Sequence, residues 1–340
     1  MNFFIEKAEA MTGNIWIAIM PFLLSFAVTV MIMPILIPYL KKLKFGQEIL
    51  EIGPVWHKSK EGTPTMGGLA FILGVFVSGI IALFVRFDLR FLMMLLISLG
   101  FGLIGFTDDY IKVVKKRNLG LTARQKFILQ TILAVIYVVV LGRTGNLNNH
   151  IIIPFMTKPV AINQIFYVIL IMFVVTGTVN AVNLTDGIDG LATSITSAVS
   201  LFFVIVSILV SDMQSMWFSL AILGGCLGFL IFNKYPARVF MGDTGSLFLG
   251  GSISVLAVGL KMPLILIIVG FVYLFETISV IIQVTSFKLT GKRVFKMTPI
   301  HHHFEMCGWK EKKIVGIFTA VTVLLCIVGI LAVMPYVRGM

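Results

Sequence analysis

The chain has 340 residues, of which 58% are hydrophobic and 12% are charged, and its mean hydropathy is +1.03. A soluble globular domain does not show this balance, so the composition indicates an integral membrane protein. The formal net charge is +12 at pH 7. Loop charges that set membrane orientation and attract anionic lipid account for this excess, so no nucleic acid is expected as a partner. Three scattered cysteines without CxxC spacing give no disulfide framework and no metal cluster.

Ten apolar runs predict membrane-spanning helices, because each span needs about 20 apolar residues. The runs fall at 16–40, 66–85, 91–107, 127–141, 163–180, 190–210, 216–232, 244–260, 263–287 and 314–337. The first run lacks a small-residue cleavage pattern and is expected to be a retained helix. The predicted fold class is therefore all-α, a polytopic membrane helix bundle in which residues 1–340 form a single domain.

Basic residues divide unevenly between the two faces of this bundle. The loops on one face carry 20 of the 27 Lys and Arg residues. These loops are 41–65, 108–126, 181–189, 233–243 and 288–313. By the positive-inside rule this face is cytoplasmic and both termini are extracytoplasmic. The polar clusters described next belong to the same loops, which predicts a cytoplasmic site for a phosphorylated substrate.

Asp108 and Asp109 follow the third apolar run, where a helix is expected to leave the membrane. Adjacent carboxylates at this depth repel each other unless a cation compensates them, although an Asp pair can also simply mark a helix end. Asp243 lies between glycines just before another predicted helix. It suits either an N-cap or a Mg²⁺ site beside a phosphate.

A central loop with no Lys or Arg follows the fifth run and reads Asn-Leu-Thr-Asp-Gly-Ile-Asp-Gly from Asn183 to Gly190. Its carboxylates have no local counter-charge, and its glycines allow close approach to the backbone. Such a loop is an unusual connector and a candidate ligand site. Among the basic residues, Lys60 beside a Gly-Thr turn and Lys112 one helical turn after the Asp pair are the better candidates for substrate contact.

His301, His302 and His303 are consecutive. Neighbouring residues on a helix diverge by about 100 degrees, so the three do not share one metal ion. Nearby Lys and Arg residues favour a diphosphate contact, and the alternative is a solvated interfacial loop. Glu276 lies inside the ninth apolar run, where an acid is costly. No motif surrounds it, which favours a structural role for this acid.

Five motifs in this order resemble the phospho-N-acetylmuramoyl-pentapeptide transferase family, also called translocase I. They are Gly-Thr-Pro-Thr-Met-Gly-Gly, the Asp pair, Asn-Leu-Thr-Asp-Gly-Ile-Asp-Gly-Leu, Phe-Asn-Lys-Tyr-Pro-Ala-Arg-Val-Phe-Met-Gly-Asp-Thr-Gly-Ser and Pro-Ile-His-His-His-Phe-Glu. The wider superfamily comprises polyprenyl-phosphate N-acetylhexosamine-1-phosphate transferases. The three histidines followed by Phe-Glu are similar to the muramoyl-pentapeptide branch.

The resemblance implies Mg²⁺-dependent transfer of phospho-N-acetylmuramoyl-pentapeptide from its UDP donor to undecaprenyl phosphate. The products are lipid I and UMP, made on the cytoplasmic leaflet of a bacterial cell membrane, and a homodimer is an expected assembly. Asp243 matches the magnesium-binding carboxylate, with Asp108 as a candidate second ligand. Asp108 or Asp109 matches the residue that deprotonates or positions the lipid phosphate. An alternative within the family makes the Asp243 position a covalent nucleophile.

The same matching implies the remaining site residues. Around the uridine it gives Lys60, Ile188, Asp189, Asn233 and Phe240. Near the sugar and diphosphate it gives Thr65, Asn183 and Asp186, and near the diphosphate it gives His301, His302 and His303. Two rival functions stay open on the sequence. A sister transferase would use UDP-N-acetylglucosamine, and a secondary transporter would place its carboxylates near the bilayer midplane rather than at one face.

Overall fold

The computed structural model describes residues 2–43, 60, 62–114, 120–147 and 149–340. The helices in these ranges are α1 Asn2–Thr12, α2 Ile15–Lys42, α3 Gly68–Val85, α4 Leu89–Val114, α5 Ala123–Arg143, α6 Gln164–Thr185, α7 Leu191–Leu209, α8 Met213–Asn233, α9 Gly242–Gly259, α10 Leu266–Val269, α11 Phe271–Thr290, α12 Ile300–Met306 and α13 Glu311–Gly339. A short antiparallel hairpin joins β1 His150–Ile151 to β2 Val160–Ala161. Five basic loop residues counted above, Lys44, Lys58, Lys115, Lys116 and Arg117, lie outside the described residues.

Nine of the described helices are long and apolar enough to cross a membrane, namely α2 to α8, α11 and α13. This result confirms the prediction of an all-helical, multi-pass membrane protein. The remaining predicted span, 244–260, is α9, which is rich in Gly and Ser and almost fully buried by its neighbours. Small side chains let helices approach closely, so α9 lies at the centre of the bundle with α4 and α6 packed along it.

Two predicted boundaries differ from the structure. The third apolar run predicts a helix end at residue 107, but α4 continues to Val114, so Asp108 and Asp109 lie within the helix. Both acids are buried against neighbouring elements. A hydropathy pattern does not show that polar residues will be buried by partners from other helices, so it predicts the helix end too early. The ninth run, 263–287, is not one helix. A 3-10 turn at Pro263–Ile265 and the single turn α10 precede α11.

The last turn of α4 and the first turn of α9 meet at one end of the bundle. A Cβ atom at Gly105 would collide with the backbone carbonyl of Asp243. Only glycine allows this approach, which brings the Asp pair of α4 beside the start of α9. The first turn of α5 and the last turn of α6 lie beside the same point, and the first residue of α13 lies beside the loop that follows α6.

Candidate active site

Three carboxylates converge where α4 meets α9. Oxygen atoms of Asp108, Asp109 and Asp243 all lie within 4.8 Å of one another. Asp108 and Asp109 are buried, whereas the Asp243 side chain keeps 18% of its surface exposed. Like charges at this separation repel strongly, so the cluster requires compensating cations.

Two lysines supply that compensation. Lys112, one turn after Asp108 on α4, places its Nζ 2.6 Å from Asp108 Oδ2 and 3.0 Å from Asp243 Oδ2. Lys126 reaches in from the first turn of α5, with its Nζ 2.6 Å from Asp243 Oδ2 and 3.3 Å from Asp108 Oδ2. We call these five residues the acid–lysine cluster. Both lysines bridge Asp108 and Asp243, so these four residues form one charge network rather than separate ion pairs.

Lys126 is a site residue that the sequence did not single out. It follows Thr122, which caps α5 together with Gln125 in a reciprocal capping box. The Thr-x-x-Gln spacing signals where α5 begins, but it does not show that this end lies beside α4. Its contact with Asp243 joins residues 117 apart in sequence, and only the packing reveals it.

The two members of the Asp pair have different partners. Asp109 accepts hydrogen bonds from the first turn of α9, with Oδ1 3.2 Å from Asp243 N and Oδ2 2.9 Å from Thr244 N and 2.7 Å from Thr244 Oγ1. Asp108 Oδ1 accepts from Leu121 N at 2.8 Å, while its Oδ2 faces the two lysines. Asp109 thus acts as a cap supplied by another helix, and Asp108 belongs to the charge network.

This difference predicts a stability effect. We expect Asp109→Ala to lower the free energy of unfolding by about 2 kcal/mol, since it removes the acceptor for the orphan N–H groups of α9. Asp109→Asn keeps one acceptor oxygen and should lie between the alanine variant and the wild type. Thermal unfolding in detergent measures this, and an Asp109→Ala protein that unfolds at the wild-type temperature would contradict the capping role.

Asn183, near the end of α6, holds Asp243 from the other side. Its Nδ2 lies 2.8 Å from Asp243 Oδ1 and 2.8 Å from Ser246 Oγ. Asp243 therefore has both oxygens engaged, one by the amide and one by the lysines. This arrangement fixes the orientation of the carboxylate that is most exposed in the cluster.

Asp186 ends α6 and begins the loop 185–190. Burial raises the pKa of Asp186 well above its usual range, and the negative charges of Asp243 and Asp109 add to the rise. Such surroundings disfavour a bare carboxylate and favour a cation or a hydrogen-bonding group beside it. Asp186 thus extends the acidic side of the site beyond the acid–lysine cluster.

Lys60 and Asp189 form a second charged group. Lys60 Nζ lies 2.7 Å from Asp189 Oδ1 and 2.7 Å from Glu311 Oε2, at the first residue of α13. Burial disfavours the charged form of Lys60, but these two carboxylates outweigh that cost and raise its pKa. Asp189 Oδ2 also accepts from Ala237 N at 2.8 Å. Sequence reasoning missed Glu311, because nothing in its local pattern links it to Lys60.

The remaining predicted nucleotide contacts surround this second group. Ile188 is buried, and the Asn233 side chain is engaged by Thr193 Oγ1 at 2.9 Å and Val239 O at 3.0 Å. Phe240 is half-buried. Its N–H donates to Pro64 O at 2.9 Å, and its carbonyl accepts from Gly67 N at 2.8 Å. These bonds fasten the Gly-Thr-Pro-Thr-Met-Gly-Gly segment to the loop before α9.

Gly242 joins these two segments to the Asp pair. Its φ is +71°, and a Cβ atom there would meet Asp109 Oδ2 at 2.5 Å and Thr65 Oγ1 at 2.9 Å. The position therefore requires glycine both for its backbone conformation and for space. It brings Thr65 next to the acid–lysine cluster.

The three histidines belong to the short helix α12 and have separate surroundings. His301 is fully buried against Glu276, His302 Nδ1 lies 2.6 Å from Glu305 Oε2, and His303 Nδ1 accepts from Lys296 N at 3.2 Å. Each of the three side chains therefore meets a different group of the protein. Of the three, His301 contacts the central loop, at Gly187.

Comparison with known proteins shows the family. The model of glycosyl transferase family 4 matches residues 91–261, and signature 1 of phospho-N-acetylmuramoyl-pentapeptide-transferase matches residues 60–72. A phospho-N-acetylmuramoyl-pentapeptide-transferase of Acetivibrio thermocellus is 52% identical over 92% of this chain and 94% of its own length. A relative of the same name from Shouchella clausii is 48% identical over 93% of this chain and 97% of its own.

These relatives span both the acid–lysine cluster and the histidine helix, and the signature falls on the segment that pairs with Phe240. The resemblance drawn from the five sequence motifs is thereby confirmed. The chain belongs to the phospho-N-acetylmuramoyl-pentapeptide-transferase family, within glycosyl transferase family 4.

Proposed function

We propose that the chain transfers phospho-N-acetylmuramoyl-pentapeptide from its UDP donor to undecaprenyl phosphate, giving lipid I and UMP. The observation that carries this proposal is the acid–lysine cluster at one end of a membrane helix bundle. We assign that end to the cytoplasmic face of a bacterial cell membrane, since the loops that carry most of the Lys and Arg residues are predicted for that face.

The reaction joins two anions. An oxygen of the lipid phosphate attacks the phosphorus that bears the sugar, and the bond from that phosphorus to the bridging oxygen breaks, so UMP leaves with the electron pair. The site must therefore offset negative charge on the acceptor, the donor and the leaving group. Lys112 and Lys126 are suited to this task, because their ammonium groups already lie between two acids at the centre of the cluster.

We assign the lipid phosphate to Asp108 rather than to Asp109. Both oxygens of Asp109 are committed to the first turn of α9. Asp108 directs one oxygen toward the two lysines, so a phosphate entering there would meet the lysines first. In this position Asp108 orients the lysines and accepts the remaining proton of the lipid phosphate.

The donor set suits Mg²⁺. Magnesium prefers hard oxygen ligands and is commonly held by one or two carboxylates together with substrate phosphates. Asp243 is the more exposed acid, and it with Asp108 would hold the ion once a lysine amine withdraws from the shared oxygens. Held by these residues, Mg²⁺ would supply positive charge to offset the diphosphate and the leaving group. Asp109 is not assigned to the metal, because its oxygens cap the first turn of α9.

In this proposal the UDP donor binds between the acid–lysine cluster and the group formed by Lys60, Asp189 and Glu311. Uridine is placed beside Lys60, Asp189 and the ring of Phe240, which offers a face for base stacking. Ile188 and Asn233 are assigned to the same region. The sugar and diphosphate are placed near Thr65, Asn183 and Asp186, between the uridine region and the acid–lysine cluster.

The donor choice tests this proposal. Purified protein in detergent is supplied with undecaprenyl phosphate and either the muramoyl-pentapeptide donor or UDP-N-acetylglucosamine, and UMP release is followed. We expect UMP to be released from the muramoyl-pentapeptide donor, and only when undecaprenyl phosphate is present. Release from UDP-N-acetylglucosamine alone would move the chain to the sister branch, and none from either donor would contradict the proposed reaction.

A further inference from the structure

A buried acid lies outside the acid–lysine cluster. Glu276 belongs to α11, and its side chain has no exposed surface. An ionisable group in a membrane helix is costly and is retained for a partner. That partner is His301 of α12, whose Nδ1 lies 3.0 Å from Glu276 Oε2. The same Oε2 lies 3.4 Å from the backbone N of His301, so Glu276 fastens both the ring and the start of its helix.

This contact determines how the imidazole is used. The Glu276 carboxyl group lies against Nδ1 of His301, so Nε2 is presented on the opposite side of the ring. Within the described part of the chain, His301 Nε2 is buried without a hydrogen-bond partner. A buried polar atom left unpaired is costly, which indicates that the ring is held there for a purpose other than stability.

The free side of the ring lies against the central loop. A Cβ atom at Gly187 would collide with Nε2 of His301 and would lie 2.6 Å from its Cε1. The imidazole therefore contacts the loop backbone directly. Gly187 stands between Asp186 and Asp189, the two loop acids assigned above to the donor. A ring fixed at Gly187 limits the positions that both acids can take.

We propose that Glu276 is a positioning residue for the UDP donor: it holds His301 against Gly187 and so keeps the loop 185–190 in its binding conformation. The inference rests on the proposed function, because that function assigns the loop 185–190 to binding of the UDP donor. The acid–lysine cluster is built on α4, α5 and α9, and Glu276 belongs to none of them. Its loss should therefore weaken donor binding more than it slows the transfer step.

Steady-state kinetics of full-length protein test the inference. We expect Glu276→Leu to raise the donor KM by about tenfold or more, as the loss of a hydrogen bond to a charged group does. The kcat at saturating donor should stay within about threefold of wild type, since the transfer step keeps its residues. Glu276→Gln keeps an acceptor oxygen for Nδ1–H and should recover part of the loss. Gly187→Ala should raise the donor KM as well, because its methyl group displaces the ring.

Two comparisons separate positioning from general damage. Ser279→Ala, one turn along α11, removes a buried hydroxyl that, among the described residues, bonds to the Glu276 carbonyl, and it should leave both constants unchanged. In a His301→Leu background, Glu276→Leu should change the donor KM by less than about twofold, because residues that act as a unit are not additive.

The outcomes are distinct. An unchanged donor KM in Glu276→Leu, or an equal rise in Ser279→Ala, overturns the inference. If Glu276→Leu fails to fold, Glu276→Gln and Gly187→Ala carry the test, and unchanged donor KM values in both overturn it. Wild-type protein that releases no UMP from the donor would instead remove the proposed function on which the inference rests.

Discussion

Replacing Asp243 by alanine is expected to lower the rate of UMP release roughly a thousandfold or more, the scale seen when a group that stabilises transition-state charge is removed. Asp243 contacts both lysines and Asn183, so its loss leaves Lys112 and Lys126 with Asp108 as their remaining acid of the network. It also removes the carboxylate best placed to hold Mg²⁺. The measurement is initial UMP release at saturating substrates, with thermal unfolding to confirm that the variant is folded.

The chain offers a matched control for this variant. Asp212 also begins a helix, accepting from Ser215 N at 2.9 Å, and pairs with Arg90 at the opposite end of the bundle. Asp212→Ala should lose about 1 kcal/mol of stability through the lost cap and keep near-normal turnover. A folded Asp243→Ala protein that works within tenfold of wild type would remove Asp243 from the catalytic assignment.

Chelation of divalent metal is expected to abolish UMP release, and added Mg²⁺ should restore it. The physical reason is that two substrate anions and three clustered acids exceed the charge that two lysines can offset. Mg²⁺ should also raise the unfolding temperature of the wild type and of Asp212→Ala, since a ligand that binds the folded state stabilises it.

The Asp243→Ala variant should lack this thermal response, because its main proposed ligand is gone. Undiminished turnover after exhaustive chelation would contradict the metal assignment. A thermal response that persists in Asp243→Ala would place the ion elsewhere in the chain. The second readout does not depend on activity, so it separates metal binding from catalysis.

The fold was largely predictable because each membrane-spanning helix appears in the sequence as a long apolar run. Hydropathy did not predict where a helix ends when its polar end is buried by neighbouring helices. α4 runs seven residues past its predicted end at residue 107, to Val114, because Asp108 and Asp109 find partners on α5 and α9 rather than water. The central helix α9 is only moderately apolar, since its Gly and Ser residues serve close packing.

The site was predictable where its chemistry is concentrated in short motifs. The local sequence singles out Asp243 and Asn183, and the structure brings them within hydrogen-bond distance. It does not single out Lys126 and Glu311, because Lys126 meets Asp243, and Glu311 meets Lys60, across more than 100 residues of sequence. The sequence favours a structural role for Glu276, since a lone acid in an apolar run carries no sign of the histidine that it meets.

The most direct test of the proposed reaction follows the phosphorus atom that bears the sugar. The UDP-N-acetylmuramoyl-pentapeptide donor is radiolabelled at that phosphate and incubated with the protein, undecaprenyl phosphate and Mg²⁺, and the lipid is then extracted. If the protein transfers the sugar together with its phosphate, the label moves into the lipid fraction and the released UMP carries none. Label that stays in the aqueous phase as UDP would mean that the sugar moves without its phosphate, and the proposed reaction would be wrong.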